Sequence, residues 1–234
     1  MFIGTKKSRD TPRDFLFSLG VISFLYMFGL SKSEISIIQK LNTPVKIQDF
    51  LETIPENMET DGEETCLSPR RVLRERRAHC IEGAMLACVA LWYHGESPLL
   101  MDFEAADYDE DHVIVPFRRY GRWGAISKTN HHMLRYRDPV YRTIGELAMS
   151  YFHEYFSNNG RKSLRTYTPK PYNLKTIKDK SWIISEESVW VIPETLMKQK
   201  HVKIFPPGFH SPRRLDPIQM KAGNIIQWGS HQEK

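Results

Sequence analysis

Cys80 is the residue of this chain best placed to act as a nucleophile. It opens an almost unbroken apolar run, residues 80–94 (CIEGAMLACVALWYH), which closes at Gly95. Apolar on nearly every face and followed by glycine, the run predicts a central buried helix. A thiol in the first turn of such a helix meets unpaired backbone N–H groups and the positive end of the helix dipole. Both favour thiolate over thiol. Arg76 and Arg77, just upstream, would add positive potential. Against this stands the commonest fate of a free cysteine, that of a small buried hydrophobe. Cys88, two turns deeper in the same run, fits that description, and Cys66 falls in or near a loop without an obvious partner. Acyl transfer also needs a base that takes the thiol proton and returns it to the leaving group. Of the nine histidines, His112 is the best sited, because it opens an apolar strand, HVIVPF, after the acidic loop DYDED. A strand end beside a central helix can aim an imidazole at the helix's first turn. The plainer reading is a half-exposed strand histidine.

The elements that would position this pair follow from the local patterns. Strands are expected at 99–103, 112–117 and 123–127, the last two joined by a turn at Tyr120–Gly121. If that turn has two residues, His112 faces Thr129, and Ser127 becomes its diagonal neighbour on the same face. Ser127 could then orient the imidazole by a hydrogen bond. Asn130 points to the other face unless a bulge shifts the parity or the strand has already ended. Asp109 and Asp111 lie too close along the chain to hold the ring of His112 easily and are expected to be solvated. Ser68–Pro69 reads as an N-cap and first helical position, opening a short basic helix, RRVLRERR, ahead of Cys80.

These residues, taken together, resemble a known family. The run SPRRVLRERRAHCIEGAMLACVALWYHG resembles the nucleophile helix of transglutaminase-like proteins of the papain-like cysteine protease superfamily. The stretch DHVIVPFRRYGRWGAIS resembles the same superfamily's histidine strand and Gly-x-Trp hairpin. More narrowly, residues 124–141 (GAISKTNHHMLRYRDPVY) resemble an uncharacterised bacterial group of such proteins. The resemblance covers roughly residues 44–130. It implies an α+β fold with a papain/transglutaminase-like core, the nucleophile helix packed on an antiparallel sheet. It also implies Cys80 as nucleophile and His112 as general base and acid. The family's third residue is usually an aspartate, and the aligned position here is Ser127, which brings no negative charge to an imidazolium. Asn130 is a residue type that serves as third member in papain-like enzymes. The backbone N–H of Cys80 is the one oxyanion donor that can be matched. The activity implied is a thiol-dependent hydrolase or acyl transferase acting on a peptide or protein amide. The alternative is a catalytically inactive relative that binds a peptide or protein partner in the same cleft. No cofactor and no metal is expected.

The rest of the chain sets the frame. Its 234 residues, 41% hydrophobic and 12% aromatic, suffice for a substantial core and exclude global disorder. The net charge of +5, from 33 basic and 28 acidic side chains, is too mild an excess to argue for nucleic acid. Three cysteines without a paired framework suggest a reducing, cytoplasmic setting. Residues 15–30 (FLFSLGVISFLYMFGL) are apolar but short of the roughly 20 residues that span a bilayer. They read as a buried packing helix, with a signal anchor as the alternative. The expected organisation is an N-terminal helical segment over 1–43, the core over 44–160 and a less regular C-terminal extension over 161–234. Within these, Ser33 is expected to cap a helix, 56–65 to form an acidic surface loop, 143–157 a helix and 182–192 a strand pair. His131–His132 lacks further ligands at metal spacing. Arg118, Arg119, Arg122, Arg135, Arg137 and Arg142 suggest a solvated face paired with the acidic loops at 59–64 and 107–111 rather than a polyanion reader. Lys128 reads as a surface lysine, with a reader of substrate charge as the alternative.

Overall fold

The computed structural model describes residues 28–59 and 62–228. Most of the apolar stretch at 15–30 lies outside the described residues; of its last three, Phe28 and Leu30 are buried. Among the helices that lie wholly within the described residues, two short ones come first, α1 (Lys32–Lys40) and α2 (Pro44–Glu52). The cap of α1 is Ser31 rather than Ser33, because Ser31 and Glu34 form a reciprocal capping box. Thr43 and Ser68 cap α2 and α3 (Pro69–Glu75), each with proline in the first turn, where a missing N–H costs nothing.

Helix α4 (Cys80–Tyr93) is the central element, with every residue from Glu82 to Leu91 buried. It packs on the face of the sheet carrying Val113, Val115 and Phe117. The sheet contains β1 (Leu99–Glu104), β2 (His112–Arg119), β3 (Arg122–Ile126) and β4 (Arg137–Tyr141), all antiparallel. Its other face carries Met101, Phe103, Ile114 and Ala125, covered by Tyr151, Tyr155 and helix α5 (Ile144–Met149). The turn joining β2 to β3 has Tyr120 and Gly121 both at positive φ (51° and 75°). This is the primed turn whose twist suits a two-residue hairpin. The register that follows, Val115 opposite Ile126 and Arg119 opposite Arg122, is the one expected from the sequence.

After Asn158 the chain is less separate than its composition suggests. It supplies β5 (Thr166–Tyr167), β6 (Tyr172–Asn173) and β7 (Val202–Lys203), of which β5 and β6 pair with β1 and β7 with β5. The expected strand pair at 182–192 is instead a 3-10 turn, Ser181–Ile183, and the start of α6 (Val191–Met197). The reason is burial: Trp182, Ile183, Ile192 and Leu196 all point into the α4 core, an arrangement that alternation along a strand would not give. Helix α5 ends at Met149, well short of 157. Ser150 turns its hydroxyl onto Leu147 O (2.7 Å) and the next residues continue as tighter i→i+3 turns. The last element is α7 (Pro217–Gly223). Among the described residues, no helix is long and apolar enough to cross a membrane.

Candidate active site

Cys80 is the first residue of α4, and His112 is the first residue of β2. Burial of the α4 face fixes the first position; the hairpin register fixes the second. The sulfur of Cys80 lies against the backbone N–H of Val113, the residue after His112, and also near the N–H of Ile81. Thiol and imidazole therefore belong to the same strand end. His112 is buried, and its Nε2 lies 2.8 Å from Ser127 Oγ, as the diagonal pairing requires. Ser127 spends its only proton on Leu134 O, so it must accept from His112. That fixes the Nε2–H tautomer and leaves Nδ1 with the ring's lone pair.

The Ser127 backbone is itself held from below. The Gln48 side chain in α2 donates to Ser127 O (2.9 Å) and accepts from Ser127 N (2.9 Å). Asn130 is not near this relay in its bonding. Its amide donates to Trp228 O (2.9 Å) and accepts from Trp228 N (2.7 Å), so both ends are committed to the C-terminal segment.

Electrostatics set the resting state. Burial pushes the Cys80 thiol up to about 12, and the charges of Glu56 and Glu110 add to it, while the N–H groups of Val113 and Ile81 oppose it. The lowering expected from the helix end is outweighed by desolvation. Burial takes His112 down to about 4, with the Glu56 charge opposing and His131 assisting. At neutral pH the two rest as neutral thiol and neutral imidazole. Tyr155, on the far side of the sheet from α4, donates to Glu110 O at 2.6 Å.

Several residues not singled out as site residues complete the surroundings. The positive group at the helix tip is His79, the residue before Cys80, and not Arg76 or Arg77. Arg76 lies over the Phe50 ring at 4.7 Å, and Arg77 binds Glu75 and Asn57. His79 Nδ1 meets Glu56 at 3.2 Å and its Nε2 meets Glu59 at 3.0 Å. Burial alone would lower this imidazole, but the two carboxylates and nearby Glu82 carry it to about 9. Glu56 reaches across to Lys128 Nζ at 3.3 Å. Lys128 is buried, contrary to the surface position its sequence suggests. Its stem packs where a Cβ on Gly83 would sit, only 2.7 Å from Lys128 Cβ, so the lysine needs the glycine opposite. Glu56 thus ties the residue before Cys80 to the residue after Ser127. In the segment expected as a surface loop, 56–65, Met58 and residues 62–64 are exposed as expected, but Glu56, Asn57, Glu59 and Thr65 turn onto the helix tip: Asn57 is buried, and buried Glu82 accepts from Asn57, Leu67 N and His79 N. A signal for this existed in the sequence. Glu82 stands three residues after the cap position, as in a capping box.

Cys88 is core, its thiol near Leu99 O (3.4 Å), and Cys66 is buried with its thiol pushed up to about 12. Of the six arginines, Arg119, Arg135 and Arg137 pair with Glu96, Glu52 and Glu154 rather than with the acidic loops. Asp109 is half-buried and bonded by Ser163, whereas Asp111 is exposed, as expected, and accepts from the Ala105 N–H (2.7 Å). Among the described residues, no group of three or more His, Cys, Asp or Glu side chains could hold a metal ion.

No family model and no curated protein matches the chain. Among solved structures, it is similar to LapG of Legionella pneumophila in its EGTA-treated form, at 12% identity and a TM-score of 0.36. The match covers 63% of this chain and 77% of that one. What the fold and site define is a mixed α+β protein with a half-buried cysteine at the tip of its central helix.

Proposed function

We propose that Cys80 and His112 work as a thiol–imidazole pair in a transglutaminase-like, papain-type core that hydrolyses or transfers an amide of a peptide or protein. The observation that carries this reading is the relay from His112 Nε2 through Ser127 Oγ to Leu134 O, which leaves Nδ1 as the basic nitrogen. The Cys80 sulfur attacks the carbonyl carbon as its proton passes to Nδ1. The two events are concerted in this reading, because burial raises the thiol and lowers the imidazole, so full proton transfer ahead of attack is uphill. The imidazolium then protonates the leaving amine, and water or a second amine releases the acyl group from sulfur. The backbone N–H of Cys80, unpaired at the helix start, is the donor for the oxyanion. Ser127 serves as orienter. The sheet that carries the pair draws on β5 and β6, so the core of this reading extends past residue 160.

A second reading, a non-catalytic relative that binds a peptide in the same cleft, draws on two observations. Ser127 supplies no charge to stabilise an imidazolium, and burial holds His112 low. Acylation by p-nitrophenyl acetate separates the two. The pair predicts release of p-nitrophenolate with acetyl found by mass spectrometry on Cys80, not on Cys66 or Cys88. His112→Ala should slow that acylation by about 100-fold or more. Acylation absent from Cys80, or unchanged in His112→Ala, supports the binding protein.

A further inference from the structure

The segment after α7 lies along the chain that follows Ser127, in an arrangement that reads peptide backbone. His131 and Ile226 form an antiparallel bridge. His132 N donates to Ile225 O (3.1 Å), and Gln227 N donates to Asn130 O (2.8 Å). Asn130 then grips the next residue at both polar atoms, donating to Trp228 O and accepting from Trp228 N. These contacts use main-chain groups of the guest segment, so they suit an extended peptide of many sequences. The side-chain contacts are uneven: Gln227 is hydrogen-bonded at both amide atoms, but the indole N–H of Trp228 is buried without a hydrogen-bond partner among the described residues, and Ile225 is largely exposed. A buried N–H left unpaired costs about 1–3 kcal/mol, an odd feature for a strand selected to stay in place.

The position of this ledge matters as much as its chemistry. Asn130 follows Ser127 by one short stretch, and the charge of His131 acts on His112. The guest's Gln227 donates to Glu52 O (2.9 Å) and accepts from Arg135 (3.1 Å). Glu52 is bonded in turn by Gln48, the side chain that clamps the Ser127 backbone. The ledge therefore flanks the histidine side of the candidate site.

We infer that residues 130–132 form the backbone-reading wall of a groove for an extended peptide, and that residues 225–228 occupy it as an intramolecular stand-in. The groove's service to Cys80 rests on the proposed function above; its capacity to hold a peptide does not. A tethered segment competes at an effective concentration of about millimolar. A free peptide binding with a Kd of about 100 µM would therefore be masked roughly tenfold.

The test uses the full chain and a fluorescent peptide of residues 222–228, AGNIIQW. Gln227→Pro/Trp228→Pro removes the two N–H groups that the tail donates to Asn130. The peptide should bind this double variant about tenfold more tightly than the wild type, and Asn130→Ala added to it should abolish binding. On the wild type, millimolar unlabelled peptide should speed hydrogen exchange at the chain's own Gln227 and Trp228 amides, a readout that needs no variant to fold. Equal affinity for wild type and double variant, binding that survives Asn130→Ala, or unchanged exchange overturns the inference. Binding as expected together with an unacylated Cys80 upholds the groove and counts only against the Cys80–His112 chemistry.

Discussion

His79 precedes Cys80, His112 precedes the residue whose N–H meets the Cys80 sulfur, and the structure drives these two imidazoles in opposite directions. His79, on the helix side, is carried up to about 9, whereas His112, on the strand side, is taken down to about 4. Burial lowers both. The difference is that His79 touches two carboxylates, Glu56 and Glu59, while the close partner of His112 is the hydroxyl of Ser127. Contact with a carboxylate, more than depth, decides which ring holds a proton. The helix side of the site is thus a charged clamp, His79–Glu56–Lys128, and the strand side a neutral relay, His112–Ser127–Leu134. In the proposed chemistry the base must be neutral to accept a proton, and burial keeps His112 so, while the relay sets its tautomer.

Breaking the clamp should have the largest effect on folding. Glu56→Ala leaves the Lys128 ammonium buried without its carboxylate, which should cost about 3 kcal/mol in urea unfolding. Adding Lys128→Met to that variant should recover most of the loss, because a buried pair is replaced by packing and no charge is stranded. A smaller effect, about 1–3 kcal/mol, is expected from Gly83→Ala, whose methyl group would overlap the Lys128 stem. If the alanine is tolerated without loss, the helix and strand are less tightly apposed than described.

The two rings also predict opposite pH limbs. The folded value of His79 lies above its ordinary 6.5, so its contribution is full below 6.5 and is lost as pH rises through about 9. The folded value of His112 lies below 6.5, so the unfolded chain binds the proton more readily, and stability is lost as pH falls from 6.5 towards 4. Unfolding free energies of His79→Gln and His112→Gln, each subtracted from wild type across pH 4–9, isolate these limbs from other groups. The His79 difference should change above pH 6.5 and the His112 difference below it. Limbs on the same side of 6.5 would erase the contrast between the two rings.

How far the sequence reached depends on what each feature rests on. The register placing Ser127 beside His112 was legible, because a two-residue turn at Tyr120–Gly121 leaves one pairing. The burial of α4 was legible from an apolar surface on all sides. The clamp was not, because Glu56, His79 and Lys128 meet only through the tertiary fold, and a lysine after a strand looks like any surface lysine. Gly83 inside a buried helix was the available hint that something approaches closely there. Asn130 was read as a possible orienter from residue type alone; its amide is taken by Trp228. The strands β5, β6 and β7 escaped notice because each is two residues long and exists by pairing with a neighbour, which no local pattern records.

The claim that the thiol and imidazole rest neutral and exchange a proton only during attack is tested most directly by nitrogen-15 NMR of the His112 ring. The account predicts a neutral Nε2–H tautomer at pH 7 that gains its second proton only as pH falls towards about 4. An imidazolium persisting at pH 7, or a neutral ring with its proton on Nδ1, would contradict it.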